Sequence, residues 1–430
     1  MKALTKLIYD DMRPALGVTE PGAIAFAVAS AKQHIDGALH DIHLTLNSGI
    51  YKNAFTCGIP NSHATGIRHA AALGYVAATA GKGLECLENV TATHNRQAKE
   101  MVRNGKIRVT LKDISSRIYI HAVLTTSKGS AGVTIEDAHT NITEITRNGE
   151  ILFHAHNKQK KNSNQTTTSS DIHNYTFSQI LNYVNHVPLE EIEFVYQAYT
   201  MNMALFHEGL ESERAKFTSF LYAQNDKLLI SSDEQKTASL LCTGAIEARV
   251  LGLSKPAMSI TGSGAHGIIA TLPLFAAYKV NGYSKEQLLR ATVLSYLICI
   301  YIKEYSGKLS AFCGCAIAAG TGMACGLAYL KGADKKSLTL VIQNMASSIT
   351  GMICDGGNHG CTMKGLTAVD AAYRSVDLAL YRLAIGKEHG INGQTAEETM
   401  RNIGLIASPG MQQTEGTIVD IMRQKHQFSA

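Results

Sequence analysis

Residues 106–155 read KIRVTLKDISSRIYIHAVLTTSKGSAGVTIEDAHTNITEITRNGEILFHA, and this stretch decides the fold class. Apolar and polar residues alternate in runs that begin at residues 106, 117, 131, 139 and 150. Alternation with a period of two predicts strands that bury one face. The dipeptide Asn148-Gly149 between the last two runs predicts a hairpin. Together with the similar run DIHLTLNSG (41–49), the stretch predicts a small α+β unit with an antiparallel sheet.

The rest of the chain is predominantly helical. Nearly every segment from Tyr175 to the C-terminus has helical periodicity, and no strand is predicted after residue 260. Residues 156–171, HNKQKKNSNQTTTSSD, are polar and lack apolar periodicity, which is typical of a linker. We therefore predict an α+β fold in which a small sheet domain (38–155) is inserted before a large all-α domain. Residues 1–37 and 172–430 would form that helical domain.

The composition argues against several classes of protein. Of 430 residues, 45% are apolar, and the 40 Lys and Arg against 35 Asp and Glu give a net charge of +5. We find no basic stripe, so nucleic-acid binding is not expected. The N-terminal MKALTKLIYDDMRPALG lacks the apolar segment of a secretory signal, so a cytoplasmic protein is expected. Residues 309–329 are uncharged but rich in glycine and alanine, which favours a buried helix over a membrane span.

Cysteines are concentrated in one part of the chain. Of nine cysteines, five fall between Cys313 and Cys361. GKLSAFCGCAIAAG contains a C-x-C pair, and GMICDGGNHGCTMKG contains a C-x₆-C pair. Thiolates that converge from such loops could hold Zn²⁺ or an iron–sulfur cluster. Buried free cysteines are the alternative, since free cysteine is among the most buried residue types.

Three polar loops could bind a ligand. They are TGSGAHG (261–267), YKNAFTCGIPNSH (51–63) and DAHTN (137–141). In the first loop, Gly262 and Gly264 flank Ser263 and allow the backbone to approach a ligand closely. At the start of a helix, its N–H groups would suit a carboxylate or phosphate. Ordinary tight turns are the alternative.

The order of the motifs resembles that of the L-cysteine desulfidase family, which is related to the α chain of the iron–sulfur L-serine dehydratases. The resemblance runs nearly end to end. It is carried by P-A-L-G-x-T-E-P (14–21), K-N-A with G-I-P (52–60), H-T-N-I (139–142), G-S-G-x-x-G-I (262–268), I-Y-I-K with K-L-S-A-x-C (300–313), M-I-C-D-G (352–356), G-C-x-M-K (360–364) and S-x-x-M-Q-Q-T (408–414).

The resemblance implies a [4Fe–4S] enzyme that removes the β-substituent of a small amino acid. Cysteine would give pyruvate, sulfide and ammonia, and serine would give pyruvate and ammonia. The large helical domain would carry the cluster, with Cys313, Cys354 and Cys361 as its ligands. Cys315 competes with Cys313, because the alignment could slip by two residues. An iron with an open position can act as a Lewis acid on the leaving group.

The chain departs from the family at one position of its first motif. The family usually has G-C-T-E-P, and Val18 replaces that cysteine here. Valine neither binds iron nor moves a proton, so serine, threonine or another compound is favoured over cysteine as the substrate. Cys57 could stand in for the lost thiol if both loops line one cavity; an ordinary buried cysteine is the alternative. His63, His266 and His359 also fall in the motif loops, which would make the pocket richer in imidazole.

The remaining candidates are side chains in the same loops. Lys308 and Lys364 are candidates for the base that removes the α-proton, or are structural cations that pair with Asp355 or a helix end. Glu20 is interpreted as a helix-start carboxylate. The amino-acid substrate would be held by Lys52, Asn53, His139, Asn141, Ser263, Gly264 and His266.

The primary interpretation is therefore an iron–sulfur lyase that acts on a small amino acid. Its rivals are a non-catalytic homologue with an incomplete cluster site and a hydrolase whose metal is held by cysteine and histidine. No nucleic-acid or membrane partner is expected, and a homodimer is an expectation from the closely packing small-residue helices.

Overall fold

The computed structural model describes residues 2–155, 171–307 and 309–427. The strands are β1 (Arg13–Leu16), β2 (Leu39–Leu46), β3 (Ile107–Leu111), β4 (Tyr119–Thr126), β5 (Gly129–Glu136), β6 (Ile142–Arg147), β7 (Glu150–His154) and β8 (Pro256–Ser259). The helices of the N-terminal part are α1 (Lys2–Asp11), α2 (Thr19–Lys32), α3 (Ser48–Ala54), α4 (Gly66–Val76) and α5 (Ala92–Arg103).

The part after residue 171 is helical, as predicted. Its helices are α6 (Phe177–His186), α7 (Gln197–Glu211), α8 (Lys216–Gln224), α9 (Glu234–Val250), α10 (Gly264–Asn281), α11 (Lys285–Ser306), α12 (Gly320–Leu330), α13 (Lys335–Ile349), α14 (Gly360–Leu380), α15 (Ala396–Leu405) and α16 (Gln412–Gln427). The predicted linker lies outside the described residues except for Asp171, which begins a short 3₁₀ turn. The fold class is therefore α+β, as the alternation pattern predicts.

The sheet has six strands in the order β3-β2-β4-β5-β6-β7. The predicted hairpin is present, with Arg147 opposite Glu150 and with φ of 51° at Asn148 and 86° at Gly149. Positive φ at both turn residues is the geometry that Asn-Gly favours. The sheet is mixed, because β2 and β3 pair in parallel. The expectation of a purely antiparallel sheet is wrong because α3, α4 and α5 form a crossover long enough for parallel pairing.

The first 37 residues are shared between the two parts of the chain. Strand β1 pairs with β8, which lies among the helices, whereas α2 packs on β4, β5 and α4. Nearly every residue of α2 is buried. We therefore define a sheet region (residues 19–155) and a helical region (2–16, 171–307 and 309–427). The predicted boundary at residue 38 separates α2 from the sheet on which it packs, and the existence of independent domains stays a prediction.

The core of the helical region is formed by α9, α10, α11 and α12, which are buried on almost all sides. The uncharged segment 309–329 forms a loop, a π-turn at Cys315–Ala319 and most of α12. Within the described ranges, we find no helix with the length and apolar character needed to cross a bilayer. The segment is therefore part of the protein core.

Candidate active site

The two cysteine loops lie side by side. Phe312 and Ile353 form an isolated antiparallel bridge. On either side of it, the Cys313 N–H donates to the Met352 carbonyl at 3.0 Å, and the Cys354 N–H donates to the Ala311 carbonyl at 2.6 Å. Main-chain hydrogen bonds thus hold together two motifs that lie about forty residues apart, so their thiols meet.

Four thiols interact in this place. Cys313 and Cys315 share a hydrogen bond, which lowers the pKa of Cys313 and raises that of Cys315. Burial raises the pKa values of Cys354 and Cys361, and the four sulfurs affect one another electrostatically. Cys315 and Cys354 line a cavity of about 220 Å³, whereas Cys313 is only 3% exposed and does not line it.

The donor set in this place consists of four cysteine thiols. Among the residues described, no three His, Cys, Asp or Glu side chains surround a point closely enough for one metal ion. A four-iron cluster is larger than an ion, so its ligand thiols stand further apart around it. Cysteine thiolates are also the usual ligands of such clusters. The four neighbouring thiols therefore fit an iron–sulfur cluster by their chemistry and their grouping.

Helix α3 connects the sheet region to this cavity. Asn53 Nδ2 donates to Glu20 Oε1 at 2.8 Å, and the Cys354 thiol lies 3.9 Å from Asn53 Oδ1. The Gly357 N–H donates to the Asn53 carbonyl at 3.2 Å. Asn53 lines the cavity, as predicted for a ligand-binding residue. It fixes Glu20 and the second cysteine loop relative to each other.

Glu20 and His139 form a buried pair on the cavity wall. His139 Nε2 lies 3.7 Å from Glu20 Oε1 and has no hydrogen-bond partner in the described part of the chain. Burial opposes ionisation of Glu20, but the interactions with His139 and Asn53 lower its pKa to about 2. Glu20 is therefore a carboxylate at neutral pH. An imidazole beside a fixed carboxylate is the arrangement of a general base.

The loop before α10 forms another part of the cavity wall. Gly262 and Ser263 line the cavity, and Gly264 begins the helix behind them. The Ser263 side chain makes no capping hydrogen bond with a described residue. The N–H groups in the first turn of an α-helix have no partner within the helix and favour anions. This wall therefore suits a carboxylate.

Of the three loop histidines, only His266 lines the cavity. Its Nδ1 shares a hydrogen bond with Thr261 Oγ1. Burial and the nearby charges of Lys303 and Arg249 hold its pKa well below the usual value, so His266 is neutral. His63 and His359 are exposed and lie outside the cavity lining. The expectation of an imidazole-rich pocket thus holds for His266 and His139 alone.

Three predicted ligand-binding or catalytic residues lie elsewhere. Lys52 is completely buried and donates to Glu415 Oε2 and the Ser310 carbonyl, each at 2.7 Å, so it is a structural cation. Asn141 is exposed, and its amide donates to the Glu136 carbonyl within its own loop. Cys57 is buried, and desolvation raises its pKa, so its thiol is sealed and protonated. The structure favours the ordinary buried cysteine over a replacement for the lost thiol.

The two candidate base lysines have different outcomes. Lys364 forms an ion pair with Asp355. Burial opposes its charge, but the hydrogen bond to Asp355 and the nearby thiols raise its pKa. It therefore keeps its proton, which favours the alternative of a structural cation. Lys308 lies outside the described residues.

Val18 faces the second cysteine loop. A Cβ at Gly357 would lie 2.6 Å from Val18 Cγ1, and Gly357 lies between Cys354 and Cys361. The position that carries cysteine in the desulfidases is thus directed at the cysteine loop.

Sequence reasoning missed several residues of the cavity. Asp11, Thr261 and Lys303 also line it. Asp11 Oδ2 accepts the Thr261 N–H at 2.6 Å, and Lys303 Nζ donates to the Gly307 carbonyl at 2.8 Å. Lys303 is the last residue of the I-Y-I-K motif, and this motif was the sequence feature that could have identified it as a cavity residue. Nothing in the local sequence distinguishes it from Lys308.

Comparison with known proteins gives one consistent family. Residues 81–420 match the family model described as "Serine dehydratase alpha chain". A UPF0597 protein of Clostridium botulinum (strain Langeland) is 41% identical over 426 residues, which cover 97% of this chain and 98% of that protein. A UPF0597 protein of Caldanaerobacter subterraneus subsp. tengcongensis is 34% identical over 422 residues (98% of each chain). One of Clostridioides difficile is 32% identical over 419 residues (97% and 98%).

Proposed function

This chain belongs to the serine dehydratase alpha chain family, and from that membership we propose that it is an iron–sulfur-dependent lyase that removes the β-substituent and ammonia from a small amino acid. One observation carries the proposal. Cavity-lining thiols, the Glu20–His139 pair and the start of α10 converge on one cavity. They would supply a place for the cluster, a base and a carboxylate site. L-Serine is the proposed substrate in preference to L-cysteine, because Val18 stands where the L-cysteine desulfidases, which this chain resembles, usually have cysteine.

We propose Cys315, Cys354 and Cys361 as the residues that would hold the cluster. Cys315 and Cys354 line the cavity, and Cys361 forms the C-x₆-C pair with Cys354, whereas Cys313 is only 3% exposed and does not line the cavity. Motif similarity alone favours Cys313, and the burial of its thiol shifts the assignment to Cys315. When bound, the cluster would supply a Lewis-acidic iron to the leaving group.

The chain's own residues would position the substrate and move its α-proton. The N-terminus of α10 with Ser263 would hold the carboxylate. His139 would take the α-proton, because Glu20 stabilises the imidazolium that forms and Asn53 holds Glu20 in place. Lys364 would stay protonated beside Asp355 and keep the second cysteine loop in shape.

An anaerobic experiment tests the lyase proposal. The protein is reconstituted with iron and sulfide, and iron, sulfide and pyruvate from serine, threonine and cysteine are measured. We expect about four irons per chain and pyruvate from serine. His139→Asn should keep the iron content and lose turnover, whereas the exposed His63→Asn, as matched control, should keep both. A full cluster with no pyruvate from any amino acid would support the non-catalytic homologue. Binding of one metal ion without sulfide would support the hydrolase.

The ligand assignment has a readout that does not depend on turnover. Cys315→Ser and Cys313→Ser each remove one of two neighbouring thiols, which lie two residues apart in the chain. We expect iron incorporation and the visible absorbance to fall in C315S and to persist in C313S. The reverse result would return the assignment to Cys313.

The substrate preference rests on residue 18. Because Val18 packs against Gly357 in the second cysteine loop, Val18→Cys would place a thiol at the site. We expect V18C to increase sulfide release from L-cysteine relative to pyruvate formation from L-serine. V18A, which removes bulk without adding a thiol, is the matched control. Equal ratios in V18C and V18A would contradict the role assigned to this position.

Two further expectations are proposals as well. All nine cysteines lie in the described part of the chain and are free thiols, which supports a reducing compartment such as the cytoplasm. A homodimer remains a prediction, and light scattering on the reconstituted protein would check it.

A further inference from the structure

Arg249 is a buried cation that the proposed chemistry does not use. It lies in the last turn of α9 and is only 4% exposed. Its Nε has no hydrogen-bond partner, and its guanidinium forms no salt bridge with any residue that the structure describes. Burial of a charge is costly unless the charge is paired and hydrogen-bonded. An unpaired buried guanidinium is therefore costly unless an anion binds to it.

The guanidinium lies directly beneath the start of α10. A Cβ at Gly264 would lie 2.7 Å from Arg249 Nε and 3.2 Å from its Cδ. Only glycine leaves room for the arginine at this first residue of the helix. Ser263, the preceding residue, lines the cavity and leaves the first N–H groups of an 18-residue helix without a side-chain cap. A buried cation thus packs against the positive helix end that borders the cavity, although Arg249 itself is not among the residues that line it.

The anions already present are engaged elsewhere. Glu20 is close enough for the charge of Arg249 to help lower its pKa. Its carboxylate nevertheless contacts Asn53 at 2.8 Å and His139 at 3.7 Å, and it makes no salt bridge with Arg249. His266 and Cys57 also feel this charge, but the pKa of His266 is lowered and that of Cys57 is raised, so both are neutral. No carboxylate in the described part of the chain therefore pairs with Arg249.

We propose that Arg249 is a positioning residue that, from beneath Gly264, fixes the carboxylate of the ligand at the N-terminus of α10. The site would then select compounds with a free carboxylate and reject their amides. The assignment of that ligand as a substrate rests on the proposed lyase function, but the preference for a carboxylate does not. An arginine in this position presents a planar fork that matches a carboxylate.

The first test uses the wild-type protein and a matched pair of ligands. L-Alanine and L-alaninamide differ only at the carboxylate, and neither has a leaving group. We expect L-alanine to inhibit turnover competitively and to raise the melting temperature, and L-alaninamide to do both at least tenfold more weakly. Equal effects of the two ligands would overturn the proposal.

The second test changes the arginine. Arg249→Met should weaken binding of L-alanine and raise KM for L-serine, each by about 10- to 100-fold. The increase in KM should exceed the decrease in kcat, and binding of L-alaninamide should be unchanged. Arg249→Lys keeps the charge and should be intermediate. Arg214→Met is the matched control, because Arg214 donates to the Leu251 carbonyl near the same end of α9.

The outcomes separate the two proposals. If R249M does not fold, R249K and the wild-type ligand pair decide the question. If no amino acid yields pyruvate but L-alanine still raises the melting temperature in an Arg249-dependent way, the lyase proposal fails and the carboxylate site stands. If serine is turned over while R249K and R249M affect both ligands equally, Arg249 is structural and the lyase proposal stands.

Discussion

Removal of Lys52 should destabilise the protein strongly. Lys52 Nζ donates to Glu415 Oε2 and to the Ser310 carbonyl, each at 2.7 Å, and the two ion-paired side chains are 0% and 5% exposed. Lys52→Met leaves Glu415 without a partner, because its Oε1 already has none among the described residues. Breaking a buried ion pair by removing one partner costs about 3–5 kcal/mol. The lost hydrogen bond to Ser310 adds about 1 kcal/mol.

Equilibrium urea unfolding, followed by circular dichroism, measures this cost. The set contains K52M, Glu415→Met and the double variant K52M/E415M. Each single variant leaves one buried charge, whereas the double variant leaves none. The double variant should therefore be more stable than the sum of the single effects predicts. Lys285→Met, which breaks an exposed pair with Glu193, is the control and should leave the unfolding midpoint unchanged.

Two results would refute the reasoning about Lys52. If K52M unfolds at the same urea concentration as K285M, the ion pair is not buried in solution. If the single effects add up to that of the double variant, Lys52 and Glu415 do not interact energetically. Either result would also mean that Lys52 does not link α3 to the loop at Ser310 and to α16 in solution.

Three further predictions concern other parts of the site. The pKa of Glu20 is about 2 in the folded protein, against 4.5 in the unfolded chain. The ionised carboxylate therefore contributes about 3 kcal/mol to the free energy of unfolding above pH 4.5, and this contribution is lost as the pH falls towards 2. Glu20→Gln should remove that part of the acid destabilisation, as measured by urea unfolding at a series of pH values. Gly267→Ala places a Cβ against a main-chain carbonyl of β8 and should cost about 1–3 kcal/mol, whereas Gly416→Ala meets no atom and should be neutral or stabilising by circular dichroism. In cluster-free protein, mass spectrometry should find that a small alkylating reagent modifies Cys315 before the fully buried Cys242.

Local patterns in the sequence were sufficient to predict the strands. The alternation after residue 106 and the Asn148-Gly149 turn depend on neighbouring residues, and both are confirmed. The parallel pairing of β2 with β3 could not be predicted in this way, because it depends on a long crossover. Helix α2 is apolar on all faces, so its pattern does not indicate whether it packs on the sheet or on the helices.

The candidate site was predictable where a motif itself carries the chemistry, and not where a distant partner decides the role. Cys315, Cys354, Asn53, His139, Ser263 and His266 were candidates from their motif loops, and all six line the cavity. Lys52 has a polar local sequence, but Glu415 lies 363 residues further along the chain and makes it structural. Arg249 gave no signal, because its significance lies in the absence of a partner, which only a three-dimensional structure reveals.

Residues of both regions line the cavity, although the sequence analysis placed the cluster in the helical domain. The helical region contributes the thiols and the start of α10, but Glu20, Asn53 and His139 all come from the sheet region. The Asn53 side chain contacts both Glu20 and the Cys354 thiol, so α3 sets the distance between the proposed base and the proposed metal site. A helical region alone would keep four thiols and lose the base. The sheet region is therefore part of the catalytic proposal, and Asn53→Ala should uncouple iron incorporation from turnover by leaving the first intact and lowering the second.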